Sequence, residues 1–167
     1  MGTDIKCWAE VRKGDKWELV KDEIFPEYMS RKEYSSACFS LRNYSVFSFL
    51  AGVRNEYGCH VLVMPREFPQ DSEFLHEKMP WGDKKTRQEE LENDYDAFGK
   101  SYIMLKELLD FKYDDEYIYD PRYRRDDGGI GQKVSYRQWL GEMFFRHLEV
   151  LKTLGDPKDV RIVFYFQ

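Results

Sequence analysis

The stretch Arg42-Asn43-Tyr44-Ser45-Val46-Phe47-Ser48-Phe49-Leu50-Ala51-Gly52-Val53-Arg54-Asn55 constrains this chain most, because its apolar positions run most of the way round a helical wheel. A helix that is apolar on nearly every side is stable only when it is buried on nearly every side, so the rest of the chain must be built around it. Asn43 is placed to cap its start by accepting the N–H of Ser45 or Val46, and Asn55 or Gly58 can end it.

A chain of 167 residues can bury such a helix in one core but is too short for two comfortable ones, which predicts a single domain over 1–167. The mean hydropathy of -0.71 reflects 34% charged residues, not a lack of buriable surface, since 12 Phe, 12 Tyr and 4 Trp are present. A formal charge of -5 argues against binding extended nucleic acid, whose backbone demands a basic footprint. The opening residues are charged and no apolar run reaches bilayer length, so the expectation is a soluble, acidic, cytoplasmic protein with no membrane contact. Cys7, Cys38 and Cys59 show no C-x-x-C spacing and read as reduced core thiols.

Ile5, Cys7, Ala9 and Val11 alternate with Lys6, Glu10 and Arg12, the period-two signal of a half-buried strand. Lys13-Gly14-Asp15-Lys16 reads as a hairpin turn and Trp17 to Val20 as the returning strand. Lys21 to Ser40 reads as a loop with at most a helical turn. His60 to Met64 is a short strand or an extended buried segment, and Gln70 to Met79 has room for one amphipathic turn. A polar excursion near 82–97 is expected to hold an exposed helix, Ser101 to Asp110 a short helix, and 113–133 a long loop.

Ser135 and Gln138 stand at capping-box spacing before a long C-terminal helix. Its apolar face is Trp139, Leu140, Met143, Phe144, His147, Leu148, Leu151 and Leu154, and Gly155 and Pro157 end it. Val160 to Phe166 is apolar on both phases except at Arg161, as in a central strand buried on both faces, and the first hairpin is its best partner. The order of elements predicts an α+β fold. Its sheet is small and mostly antiparallel, holds the N- and C-terminal strands, and packs on one face against the buried central helix and the long C-terminal helix.

Asp4-Ile5, Arg42-Asn43-Tyr44 with Leu50 through Asn55, Ser101 through Leu109, and Leu154-Gly155-Asp156-Pro157-Lys158-Asp159-Val160-Arg161 resemble a family of uncharacterised bacterial and phage proteins. The resemblance covers about half of the chain and implies one domain and a bacterial or phage origin; it brings no activity. Where that family carries a histidine- and serine-rich stretch, this chain has Phe98-Gly99-Lys100-Ser101.

The residues supply no complete catalytic set and no cofactor motif. His60, His76 and His147 are too far apart for a local metal motif, and His147 lies on an apolar helix face, where a hydrogen-bonded core histidine is the commoner case. Asp126-Asp127-Gly128-Gly129 lacks the ligand spacing of a calcium loop, and in Gly131-Gln132-Lys133 a glutamine interrupts the Gly-Lys-Ser/Thr order of a phosphate loop.

Two constellations remain. Tyr117, Tyr119, Arg122, Tyr123, Arg124 and Arg125 interleave rings with guanidiniums, a pattern that grips a phosphate, stacks a base or anchors a protein partner. Arg42, Arg54 and Arg161 stand at or inside buried elements and demand carboxylates, which Asp4, Glu10 or Glu142 can provide. Asp4, Glu10, Arg42, Arg54 and Arg161 are therefore expected to form a structural polar cluster, and a candidate pocket. The reading that follows is a non-enzymatic binding protein for a host protein, such as a phage-encoded inhibitor of a defence protein, or for a small nucleotide. The alternative is a small hydrolase or phosphodiesterase assembled from scattered Asp, Glu, His and Arg.

Overall fold

The computed structural model describes residues 2–27, 33–80 and 85–167. In chain order it holds β1 (Ile5–Lys13), β2 (Lys16–Leu19), the two-residue β3 (Phe25–Pro26) and β4 (Tyr34–Ser35), α1 (Tyr44–Ala51), α2 (Glu73–His76), α3 (Arg87–Glu92), β5 (Phe98–Met104) and α4 (Leu105–Asp110). Then come β6 (Tyr117–Arg124), β7 (Ile130–Ser135), α5 (Tyr136–Leu140), α6 (Glu142–Lys152), a 3₁₀ turn (Pro157–Asp159) and β8 (Val160–Phe166). The main sheet is antiparallel with order β2-β1-β8-β5, so the chain's two ends pair side by side and the last strand is central, as its doubly apolar pattern requires.

Alternation along β1 and β8 builds two cores. Cys7, Ala9, Ile162, Phe164 and Phe166 join Phe47, Phe49 and Leu50 of α1, Leu140 of α5, and Phe144, Leu148 and Leu151 of α6 in the larger core. Seven of the eight α1 residues are buried, and Asn43 accepts from the Ser45 and Val46 N–H groups at 3.0 and 3.4 Å. The helix stops at Gly52, whose N–H reaches the Phe47 and Ser48 carbonyls, earlier than Asn55 or Gly58.

The opposite face of the sheet is covered as well, which corrects the expectation of helices on one face. Val163 and Tyr165 of β8, with Trp8, Leu19 and Tyr102, pack against Phe74, Leu75 and Leu91 of α2 and α3. The excursion near 82–97 thus supplies a helix with one buried side: Leu91 and Arg87 are inside, and the Arg87 guanidinium lies 4.2 Å from the Phe74 ring centroid. Its first residues, 82–84, lie outside the described residues, as do 28–32 of the segment read as a loop.

Three further expectations change for tertiary reasons. Ser101 to Met104 continues a strand before α4 begins at Leu105, because β8 offers the backbone partners that Tyr102, Ile103 and Met104 take. The Lys21 to Ser40 segment carries the short β3–β4 ladder. The long C-terminal helix is broken at Gly141, whose φ of +85° and ψ of 165° are closed to most residues, and the break makes α5 and α6 separate helices. Among the described residues no helix is long and apolar enough to cross a membrane.

His147 shows what α6 does inside the core. Its Nδ1 accepts the Phe39 N–H at 2.9 Å, and Nε2 then donates to the Pro26 carbonyl at 2.8 Å, with the ring stacked between Phe25 and Phe39. Both ring nitrogens are satisfied only in the neutral form, and burial lowers the pKa below 6.5. The unfolded chain therefore binds a proton that the folded chain refuses. This contribution to stability is complete above pH 6.5 and is lost as pH falls below it. Urea titrations are expected to show the parent weakening between neutral pH and pH 5, and His147→Gln, although less stable throughout, losing that part of the slope. An unchanged slope in the variant would overturn the assignment.

Candidate functional site

The segment 113–133, expected as a long loop, is mostly a β-hairpin. Ile118 and Val134 face each other across it and are buried in the larger core, which gives two otherwise polar strands a reason to pair. The turn closes through the Arg125 N–H to Gly129 carbonyl bond at 2.7 Å, with Asp127 accepting the Gly129 N–H at 3.0 Å. Gly131 adopts a φ of +101°, which L side chains rarely take, and packs against the Tyr119 ring, whose hydroxyl donates to the Ile130 carbonyl at 2.6 Å. The glycine cluster is thus part of the hairpin and its turn.

Tyr117, Tyr119, Tyr123 and Ile130 are 53%, 52%, 44% and 73% exposed; Tyr117 and Tyr119 stand on the face opposite Ile118 and Val134, and Tyr123 and Ile130 lie nearer the turn. Arg124 and Arg125 are exposed beside them; Arg125 pairs with Asp127, and the Lys133 ammonium sits 5.2 Å from the Tyr117 ring centroid. Arg122 is set apart from this row. Its Nε and Nη2 grip the carboxylate of Asp120, with Nη2 to Oδ2 at 2.6 Å, and Asp120 is wholly buried. Burial pushes the Asp120 carboxyl upward, and hydrogen bonds from Arg122 more than reverse this, holding it below the usual carboxylate range.

Arg122 borders a groove of about 780 Å³ whose walls also carry Arg42, Tyr44, Arg54, Tyr57 and Trp139. Arg42 comes from the approach to α1 and is held by Asp4 through two 2.8 Å bonds, Nε to Oδ1 and Nη2 to Oδ2, which lower the Asp4 pKa. Arg54 follows α1, donates to the Thr3 hydroxyl at 3.1 Å and lies 5.5 Å from the Tyr44 ring centroid. The groove is closed on its far side by Gly141, Glu142 and Met143, where α6 starts.

The five residues expected as one polar cluster fall into two groups. Asp4, Arg42 and Arg54 belong to the groove. Glu10 and Arg161 face each other in register on β1 and β8 and point into the second core, where Arg161 donates to Glu10 at 2.9 Å and to Asp71 at 3.0 Å. Glu142 lines the groove, and the bonded partners of Arg42 and Arg161 are Asp4 for the first and Glu10 with Asp71 for the second. Arg122 leaves the tyrosine row to join Arg42 and Arg54. Tyr119 and Arg125 line a separate shallow hollow with Lys133.

The histidines stay apart: His60 stacks on Phe111, His76 reaches the Gln70 carbonyl, and His147 is in the core. Among the described residues no group of three or more His, Cys, Asp or Glu is placed to hold a metal ion. Tyr57, Trp139 and the start of α6 were missing from the sequence reading of the site. Gly141, interrupting an apolar helical face, was the signal that could have pointed to the last of these. No family model, curated protein or solved structure matches this chain.

Proposed function

We propose that this chain is a binding module that engages a protein partner through the outer side of the β6–β7 hairpin. The observation that carries the reading is the exposure of Tyr117 and Tyr119 on the face of the ladder opposite the buried Ile118 and Val134, with Tyr123 also exposed toward the turn. Aromatic rings fixed by a strand ladder give large contact area at little entropic cost, and such rings dominate binding where they are central to an interface. Arg124, Arg125 and Lys133 around them favour a partner segment that carries carboxylates.

A peptide-display library panned against the parent protein tests this. Enriched peptides are expected to combine acidic with apolar residues and to lose at least tenfold in affinity, about 1.4 kcal/mol, for Tyr123→Ser with Arg124→Glu. Thermal stability should barely move, since these side chains are exposed. Arg122 is left in place because its removal would strand the buried Asp120 carboxylate. Peptides that bind parent and hairpin variant equally would overturn the reading.

A further inference from the structure

The groove at the root of the hairpin calls for a ligand of its own. Among the described residues that line it are Arg42, Arg54 and Arg122, with Glu142 as the one carboxylate. Asp4 and Asp120 stand behind Arg42 and Arg122 and take Nε and Nη2 of each guanidinium, so the side chains are aimed while Nη1 stays outside both pairs. Asp4 and Asp120 offset the charge of Arg42 and Arg122 while orienting them, and planar guanidiniums of this kind match the geometry of phosphate oxygens.

The backbone around the groove points the same way. Arg54 has a φ of +57°, a left-handed conformation that L side chains seldom adopt, and the Ser48 hydroxyl lies 3.0 Å from its carbonyl. The Ser48 hydroxyl, bonded to the Val53 and Arg54 carbonyls, holds this conformation and with it the position of the Arg54 side chain. α6 begins at the groove on Gly141, a residue with no side chain to cap it. Trp139, 3% exposed, forms part of the wall.

Tyr44 and Tyr57, 39% and 48% exposed, add ring faces beside the arginines. The volume of about 780 Å³ suits a small molecule and falls within the usual span of ligand pockets. We infer that the groove binds a small phosphorylated ligand that carries an aromatic ring, a nucleotide, with the phosphate on Arg42, Arg54 and Arg122 and the ring against Tyr57. The chain's formal charge of -5 favours a small ligand over an extended nucleic acid, whose backbone demands a broad basic footprint. This inference stands independently of the hairpin's partner.

Isothermal titration calorimetry of the full chain with AMP, GMP, CMP and UMP, their triphosphates, the free nucleosides and inorganic pyrophosphate tests it. At least one nucleotide is expected to bind with one site per chain, more tightly than its nucleoside or pyrophosphate. Arg42→Gln and Arg54→Gln should each weaken that binding at least tenfold, or about 1.4 kcal/mol, while remaining folded by circular dichroism. Tyr57→Ser, at an exposed ring, should weaken the nucleotide and leave pyrophosphate unchanged. The hairpin variant Tyr123→Ser with Arg124→Glu should bind the nucleotide as the parent does, which separates this site from the hairpin surface. Absence of nucleotide binding by the parent, equal binding of pyrophosphate and nucleotide, indifference to both arginine substitutions, or affinity that rises with the length of a single-stranded oligonucleotide would each overturn the inference.

Discussion

Removal of Val160 to Gln167 will leave this chain without a cooperative thermal transition. β8 is buried at all seven positions and lies between β1 and β5 in the main sheet. Its Val160, Ile162, Phe164 and Phe166 fill one core, and Val163 and Tyr165 the other. At about 1.5–3 kcal/mol for each fully buried apolar side chain, these six are worth roughly 9–18 kcal/mol, as much as the whole stability of about 5–15 kcal/mol typical of a domain. The loss also frees the backbone donors and acceptors of β1 and β5 that now pair with β8. Calorimetry of the truncated chain decides the matter: a single sharp transition near the parent temperature would mean that the sheet does not depend on its last strand.

Arg161→Met is expected to cost about 3–5 kcal/mol, because it strands a carboxylate in the second core. Glu10 is fully buried, with one oxygen taking the Arg161 Nε–H at 2.9 Å. The other oxygen accepts from the Ser72 hydroxyl and the Phe74 N–H, both at 2.9 Å. This carboxylate ties the start of α2 to the sheet, while the Arg161 guanidinium rests 3.9 Å from the Trp17 ring centroid. Glu10→Gln combined with Arg161→Met removes the stranded charge and keeps an acceptor for Ser72 and Phe74. The double variant should therefore be more stable than Arg161→Met alone. Lys106→Met, which breaks an exposed pair with Asp110, should cost under about 0.5 kcal/mol. Urea titrations in which Arg161→Met and Lys106→Met lose equally would show that the buried pair does not clamp the second layer.

The elements legible in the sequence are those whose pattern alone admits one solution. Alternation at Ile5, Cys7, Ala9 and Val11 permits a strand with one face inside, the doubly apolar run Val160 to Phe166 permits a central strand, and the nearly all-apolar Tyr44 to Ala51 permits only a helix enclosed by the rest. Burial of a face is a local demand, written at a local spacing. β5 was not legible, because Ser101-Tyr102-Ile103-Met104-Leu105 suits a helix or a strand equally, and the free edge of β8 decides between them. The hairpin was hidden for the same reason. Tyr117 to Arg124 is mostly polar or exposed, and only the meeting of Ile118 with Val134 over the larger core makes it a strand.

The sequence by itself determined which residue types could do chemistry here: guanidiniums, ring faces and carboxylates, with Arg122, Tyr117, Tyr119 and Tyr123 in one segment and Arg42 and Arg54 flanking one helix. Only the tertiary structure decided how they are grouped. It sent Arg161 and Glu10 through the sheet into a sealed pair, left the three tyrosines outward on the hairpin, and drew Arg122 across to Arg42, Arg54 and the broken start of α6. Side-chain periodicity along a chain reports which face is buried, whereas the company a side chain keeps depends on contacts between residues distant in sequence. Arg54 and Arg122 share a groove because α1 and the hairpin pack on the same core.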